Sequence, residues 1–345
     1  MEAIFRNYGC RIKDSIIYKG LRTIFLENDL LRIGVLVDKG SDIFEFLYKP
    51  QDMDFVWLSP FGIKDPKTGL LTKSQQAGKF LDYYEGGWQD IFPNGGNHCS
   101  YNGIEFGRHD EISLLPWNYE IIEDSKEKVI VKLWVNTRLT PFYVEKLLIL
   151  EKGNPCLMVS EKVFNKSPVD IKTIFGIHLV YGHPFLDEHC KINISAKKGR
   201  TYEIEGYLDD NIELEKEFDW PFLPTRNGKE TDLSIIPSKD TITAKFLYLS
   251  ELEKGQYEII NEKIGLKIVV NWNKDIMPFV WFWQEFNKTD GYPWYKMARV
   301  LGLEPFSTNI MGLKRTVEKN KALIIEANSE LRSDLEVAII KSDIM

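Results

Sequence analysis

The chain has 345 residues, with 44 lysines and arginines against 51 aspartates and glutamates, a formal charge of −7. Both signs are spread along it with no basic stripe, which argues against a nucleic-acid partner. A chain of this length can bury roughly three quarters of its unfolded surface, so it needs no staples, and no run of apolar residues approaches a membrane span.

The N-terminus lacks the basic leader and apolar run of a signal peptide. Four cysteines, Cys10, Cys99, Cys156 and Cys190, are scattered and form no C-x-x-C pair. The expectation is four reduced thiols in a cytoplasmic protein. Short runs of β-branched and aromatic residues then follow one another: Leu21–Leu26, Leu30–Val37, Asp42–Tyr48, Lys128–Val135, Phe142–Leu150, Cys156–Val163 and Ile171–Val180. Ala244–Leu249, Gly265–Val270, Val300–Glu304, Ala322–Ala327 and Leu335–Lys341 complete the series. Each has strand length and strand composition, and plain turns separate them, as at Lys39-Gly40 and Lys152-Gly153-Asn154-Pro155. The best helical pattern is a turn or two around Thr72–Phe80. The polar stretch Lys197–Ile242 reads as a long excursion. No strand–helix alternation, internal repeat or low-complexity linker occurs. The pattern predicts an all-β antiparallel sandwich or barrel, with residues 1–345 in one domain.

Three segments carry residues suited to chemistry. The first runs from Gly86 through Trp88, Gln89, Asp90, Asn94 and His98 to Arg108, His109, Asp110 and Glu111. Its glycine content rules out a central strand and suits a binding loop on a rigid scaffold. The second is the apolar strand around His178, where period-two alternation puts the imidazole on one face with Ile174, Gly176 and Val180. Gly176, with no side chain, leaves room there for a ligand or a backbone. A lone histidine on such a strand also fits a purely structural role. His183 would shape the turn at Gly182–Pro184, and His189 would be exposed.

The third segment is Phe279–Thr308, which holds three of the nine tryptophans, Trp281, Trp283 and Trp294, and then Glu304 before Pro305. Aromatic rings cover the apolar face of a pyranose and carboxylates handle its hydroxyls; the same rings could equally be core. Pro305 pushes Glu304 towards extended geometry, at a strand end. Asp90 and Glu285 are two further carboxylates, and a carboxylate pair would also suit a glycoside hydrolase. Metal ligation is poorly supported: no H-E-x-x-H occurs, and His183 and His189 are not at a familiar spacing. There is no phosphate-binding glycine loop and no G-x-S-x-G elbow.

Taken together these segments resemble the aldose 1-epimerase (galactose mutarotase-like) family, whose fold is a β-supersandwich. Phe25–Asn28 through Val35–Ile43 is similar to the family's first hairpin and glycine turn. Gly87-Trp88-Gln89-Asp90-Ile91-Phe92-Pro93-Asn94 is similar to a Gly-Trp-Gln…Phe-Pro-Asn element of one branch. His109-Asp110-Glu111 with Pro116-Trp117, the segment Gly176–Leu186, and Trp281 through Glu304-Pro305 follow in the same order. Two departures stand out: Asp110 where that branch has glycine, and Ile177-His178-Leu179 where it has His-His-Pro.

The resemblance implies interconversion of the α and β anomers of a free monosaccharide, without a cofactor. It implies that Glu304 takes the anomeric proton and His178 protonates the ring oxygen, with His109 supporting His178. Asp90, Asn94 and Gln284 would fix hydroxyls, with Arg108 as an adjacent candidate. Trp88, Trp281 and Trp294 would cover the sugar face. A homodimer is possible. A non-catalytic sugar-binding or sensor protein on the same fold, and a sugar-phosphate 1-epimerase, are the alternatives; the latter calls for a basic cluster.

Overall fold

The computed structural model describes residues 6–71, 79–204 and 208–342. Two eight-stranded antiparallel sheets dominate it, with a five-stranded sheet built from the N-terminal hairpins. The first large sheet runs, in spatial order, Cys190–Ile194, Gln256–Asn261, Leu266–Trp272, Glu330–Lys341, Cys156–Asn165, Phe142–Glu151, Lys128–Asn136 and Asn118–Asp124. Strict alternation builds it. Phe142, Val144, Lys146, Leu148 and Leu150 point inward, and the residues between them are half-exposed. An inward lysine in that series is an anomaly that the packing below explains.

The second large sheet runs Glu217–Asp219, Lys198–Thr201, Thr243–Ser250, Phe279–Phe286, Arg299–Phe306, Gly176–His178 and Gln89–Ile91, with Val180–Tyr181 also paired to Arg299–Phe306. Its central strands are covered on both faces, so they read as continuous apolar runs. Register decides which side chains meet. Trp281 lies opposite Tyr248 and Glu304, and Trp283 opposite Phe246 and Gly302. One face of this sheet therefore gathers Phe246, Trp281, Trp283, Glu285, Gly302 and Glu304.

The strand series predicted from the sequence is present, with most ends within two residues; Glu330–Lys341 starts five residues earlier than expected. Ile171–Val180 is a correction. It is broken into Ile171–Thr173, which pairs with Leu323–Ile325, and Gly176–His178 and Val180–Tyr181, which both pair with Arg299–Phe306, the former also with Gln89–Ile91. Glu304 is not at a strand end, since the strand continues through Pro305 to Phe306. Of the expected helix at 72–80, residues 72–78 lie outside the described residues, and a short helix follows at Lys79–Tyr83. The stretch 197–242 carries only short strands, as expected of an excursion. All four cysteines are free thiols.

Candidate active site

A cavity of about 300 Å³ opens on the face that carries Trp281 and Glu304. Trp281 lies beneath it, fully buried. The indole N–H donates to the Thr308 carbonyl at 2.7 Å, and the ring stacks on Phe306 with centroids 3.7 Å apart. Trp283 and Trp294 form a tilted pair on one wall. Phe80 and Tyr84, brought in by the Lys79–Tyr83 helix and the residue after it, form a stacked pair on another. Gly176 has a specific part here. A Cβ on it would lie 2.2 Å from the Phe306 ring, so glycine lets Phe306 sit under Trp281. The close neighbour at Gly176 is thus an aromatic side chain; the sequence suggested a ligand or a backbone.

Two titratable groups meet in this apolar setting. His178 Nε2 lies 3.3 Å from Glu304 Oε1, and His178 Nδ1 lies 3.5 Å from the Tyr84 hydroxyl. Both side chains are buried, and neither Glu304 oxygen accepts a hydrogen bond from a described residue. Burial holds the Glu304 carboxyl well above the usual carboxylate range. Burial, with the Arg108 charge adding to it, pushes His178 down to about 3. His109 stands edge-on to His178, 5.3 Å between centroids. Its φ of +52° turns the chain so that it exchanges two contacts with Gly96. The His109 main-chain N–H donates to the Gly96 carbonyl, and the Gly96 N–H donates to His109 Nδ1, each at 3.2 Å. With Nδ1 an acceptor, the proton of neutral His109 is on Nε2. Burial also lowers His109 well below its ordinary value.

The fold brings His178, Glu304, His109, Arg108, Trp281 and Trp294 together around this cavity. Arg108 is held there by Asn97, whose Oδ1 accepts from Nη2 at 3.0 Å. Four residues expected at the site are elsewhere. Asp90 pairs with buried Lys146 at 2.7 Å on the core side of its strand. Gln284 lies on the reverse face of its sheet, where its Oε1 accepts from Lys245 Nζ at 3.1 Å. Asn94 organises the glycine-rich loop. Its Nδ2 donates to the Asn97 and Gly107 carbonyls and its Oδ1 accepts the Leu313 N–H. Trp88 is core, packed on Phe46, with its indole N–H on the Val180 carbonyl at 3.0 Å.

Glu285 lines the cavity but is engaged, accepting from the Lys288 and Thr289 N–H groups and from the Thr289 hydroxyl. Asp110 accepts the Gly107 N–H at 2.8 Å and is not among the lining residues. His183, His189 and His98 are exposed. Sequence reasoning missed Phe80, Tyr84 and Phe246. The first two sit in a segment that offered only a weak helical pattern. Phe246 could have been found by parity, as it alternates with Ala244 and Tyr248 on a strand beside the tryptophans. Among the described residues no group of three or more histidine, cysteine or acidic side chains is placed to hold a metal.

The fold is shared with solved structures described as aldose 1-epimerase candidates and galactose mutarotase-like proteins. A structure of a candidate aldose 1-epimerase from Klebsiella pneumoniae superposes with a TM-score of 0.75 at 13% identity, over 97% of this chain and 84% of that one. A galactose mutarotase-like protein from Clostridium acetobutylicum gives 0.66 at 13% identity, over 96% and 99%. The Slr1438 protein from Synechocystis gives 0.63 at 14%, over 95% and 99%. No curated protein matches the sequence. A family model described as a domain of unknown function, DUF4432, matches residues 18–339. The chain belongs to that family, and its architecture is the all-β sandwich of the galactose mutarotase-like proteins.

Proposed function

We propose that the protein is an aldose 1-epimerase, a cofactor-independent isomerase that interconverts the anomers of a free monosaccharide. The observation that carries this reading is the His178–Glu304 pair, 3.3 Å apart in a cavity walled by aromatic rings. Ring opening of a pyranose needs one group to give a proton to the ring oxygen and a second to take the anomeric proton. His178 and Glu304 face each other across 3.3 Å and are placed to divide these two roles. Trp283, half-buried on the cavity wall beside Trp294, offers ring surface for the C–H face of the sugar. His109, with its free N–H on Nε2, is placed to donate to a sugar oxygen.

Anomer equilibration followed by polarimetry or NMR exchange on several aldoses tests the reading. Wild-type protein should speed equilibration, and His178→Ala and Glu304→Gln should each lower the rate by about 10²- to 10⁴-fold, the usual span for losing a general acid or base. Equal rates in all three proteins would remove these two residues from the chemistry. A wild type inactive on every aldose tried would remove the activity itself.

A further inference from the structure

The cavity has two ends, and the reacting pair occupies only one of them. The Glu304 carboxyl is bent back along its strand, since a Cβ on Gly302 would stand 2.5 Å from Oε1. Gly302 lies opposite Trp283 in the strand pairing, so the pair acts at the level of that residue. Glu285 is two residues further along, and its carboxyl turns on towards Lys288 and Thr289, in the turn that leaves the strand. Two residues of strand cover about 7 Å, close to the span of one pyranose with its hydroxyls. Trp283, half-buried, lines the cavity over this stretch.

Glu285 has the build of an acceptor with room for one more donor. It is 3% exposed and lines the cavity. Its Oε1 accepts the Lys288 and Thr289 main-chain N–H groups at 2.7 and 3.1 Å, which fills both lone pairs. Its Oε2 accepts the Thr289 hydroxyl at 2.6 Å and keeps one lone pair. All three donors are neutral. Ala244, its partner in the strand pairing, also lines the cavity, and its single methyl leaves the space before the carboxyl open. A desolvated carboxylate gains most from a further donor, and a sugar hydroxyl is a neutral one.

The chemistry of the ring fixes which hydroxyl that is. Mutarotation breaks and remakes the bond between C1 and the ring oxygen. The opposite edge of a six-membered ring is the C3–C4 bond. A pyranose whose C1 and ring oxygen meet His178 and Glu304 therefore turns its C3 and C4 hydroxyls to the far end of the cavity.

We propose that Glu285 is the specificity-determining residue of this site, its Oε2 accepting a hydroxyl on the C3–C4 edge of the bound sugar. The substrate class is then an aldopyranose with both of these hydroxyls free. A reducing disaccharide linked through O4 would press its second ring against Thr289. The orientation of the sugar rests on the mutarotase reading, but the contact itself can be measured by binding.

The experiment follows anomer equilibration of D-glucose and D-galactose, of their 3-deoxy and 6-deoxy forms, and of the 4-deoxy sugar common to both. Wild type and Glu285→Gln are compared. The wild type should lose about 10- to 100-fold in kcat/KM when the 3- or the 4-hydroxyl is removed, and less than about threefold when the 6-hydroxyl is removed. In Glu285→Gln the loss at C3 or C4 should shrink to about threefold or less, an effect that holding the turn alone would not produce. Equal kcat/KM for the parent, 3-deoxy and 4-deoxy sugars in the wild type overturns the proposal. A loss that persists at full size in Glu285→Gln overturns it too. Should the variant fail to fold, the wild-type pattern decides: a loss confined to C3 or C4 supports the proposal, and no loss there overturns it. If the wild type equilibrates none of these sugars, calorimetric titration of the same series separates the two readings. The same pattern in Kd supports the role of Glu285 and overturns only the mutarotase reading. No binding, or binding indifferent to the C3 and C4 hydroxyls, overturns both.

Discussion

A buried carboxyl group to which no described residue donates keeps its proton more firmly in the folded chain than in the unfolded one. Glu304 therefore contributes most to stability below its unfolded value of 4.5, and that contribution is lost as pH rises towards the folded value. His178 works in the opposite direction. Its folded value of about 3 lies below the unfolded 6.5, so its contribution is whole above pH 6.5 and falls away as pH drops towards 3. The two losses overlap between pH 4.5 and 6.5, where the unfolded chain gains from charging both groups. Glu304→Gln removes only the first dependence, because the amide is neutral at every pH. Its stability relative to wild type should rise with pH above 4.5, by about 1.4 kcal/mol per pH unit until the folded value is reached. Thermal melts of both proteins from pH 4 to 8 check this. A melting-temperature difference that stays constant across the range would mean that Glu304 ionises normally in the folded chain.

The strand Arg299–Phe306 has to place that carboxyl against Nε2, and Gly302 is what leaves it room. A Cβ at Gly302 would stand 2.5 Å from Glu304 Oε1 and 3.3 Å from the Trp283 Cβ. Gly302 and Glu304 are two apart on one face, so an added methyl must push the carboxyl aside. Gly302→Ala should lower kcat by about 10²-fold, the usual effect of a displacement of about 1 Å at a reacting group. The far-UV spectrum should be unchanged, and full activity would show that Glu304 has slack. The sequence allowed this strand, the tryptophans beside it and His178 to be read, because alternation and composition are local signals. It did not allow Asp90 and Gln284 to be separated from the site, since a shift of one residue along a strand reverses the face. Gln284 lies between Trp283 and Glu285, which face the cavity, and itself faces Lys245. Tyr84 and Phe80 were illegible for another reason. Their place depends on a loop path between sheets, which no periodicity encodes.

Across the whole molecule, buried charge ties the sheets together behind the site. Lys146, 2% exposed, reaches from the middle of the first large sheet to Asp90 Oδ2 at 2.7 Å in the sheet that carries His178. It also donates to the Ser41 carbonyl at 3.0 Å, beside the N-terminal sheet. Glu161, inward on the neighbouring strand, is held well above the carboxylate range by burial and by Asp90, and Lys146 opposes that rise. A lysine in an otherwise apolar alternation needs an acidic partner opposite, and the structure supplies Asp90, which the sequence reading places at the sugar site. Removing the cation alone leaves Asp90 buried without its counter-charge, which typically costs about 3–5 kcal/mol. Removing both charges with apolar residues of similar volume is often close to neutral. Lys146→Met should therefore lower unfolding free energy by about that amount, and Lys146→Met with Asp90→Leu should recover most of it. Chemical denaturation of the two variants and the wild type measures both. Because Asp90 sits opposite Ile177 in the strand pairing, the single variant should also loosen His178 and reduce turnover. The double variant should regain stability and, with the register restored, the activity. A double variant as unstable as the single one would show that the charges hold the sheets by geometry that apolar packing cannot replace.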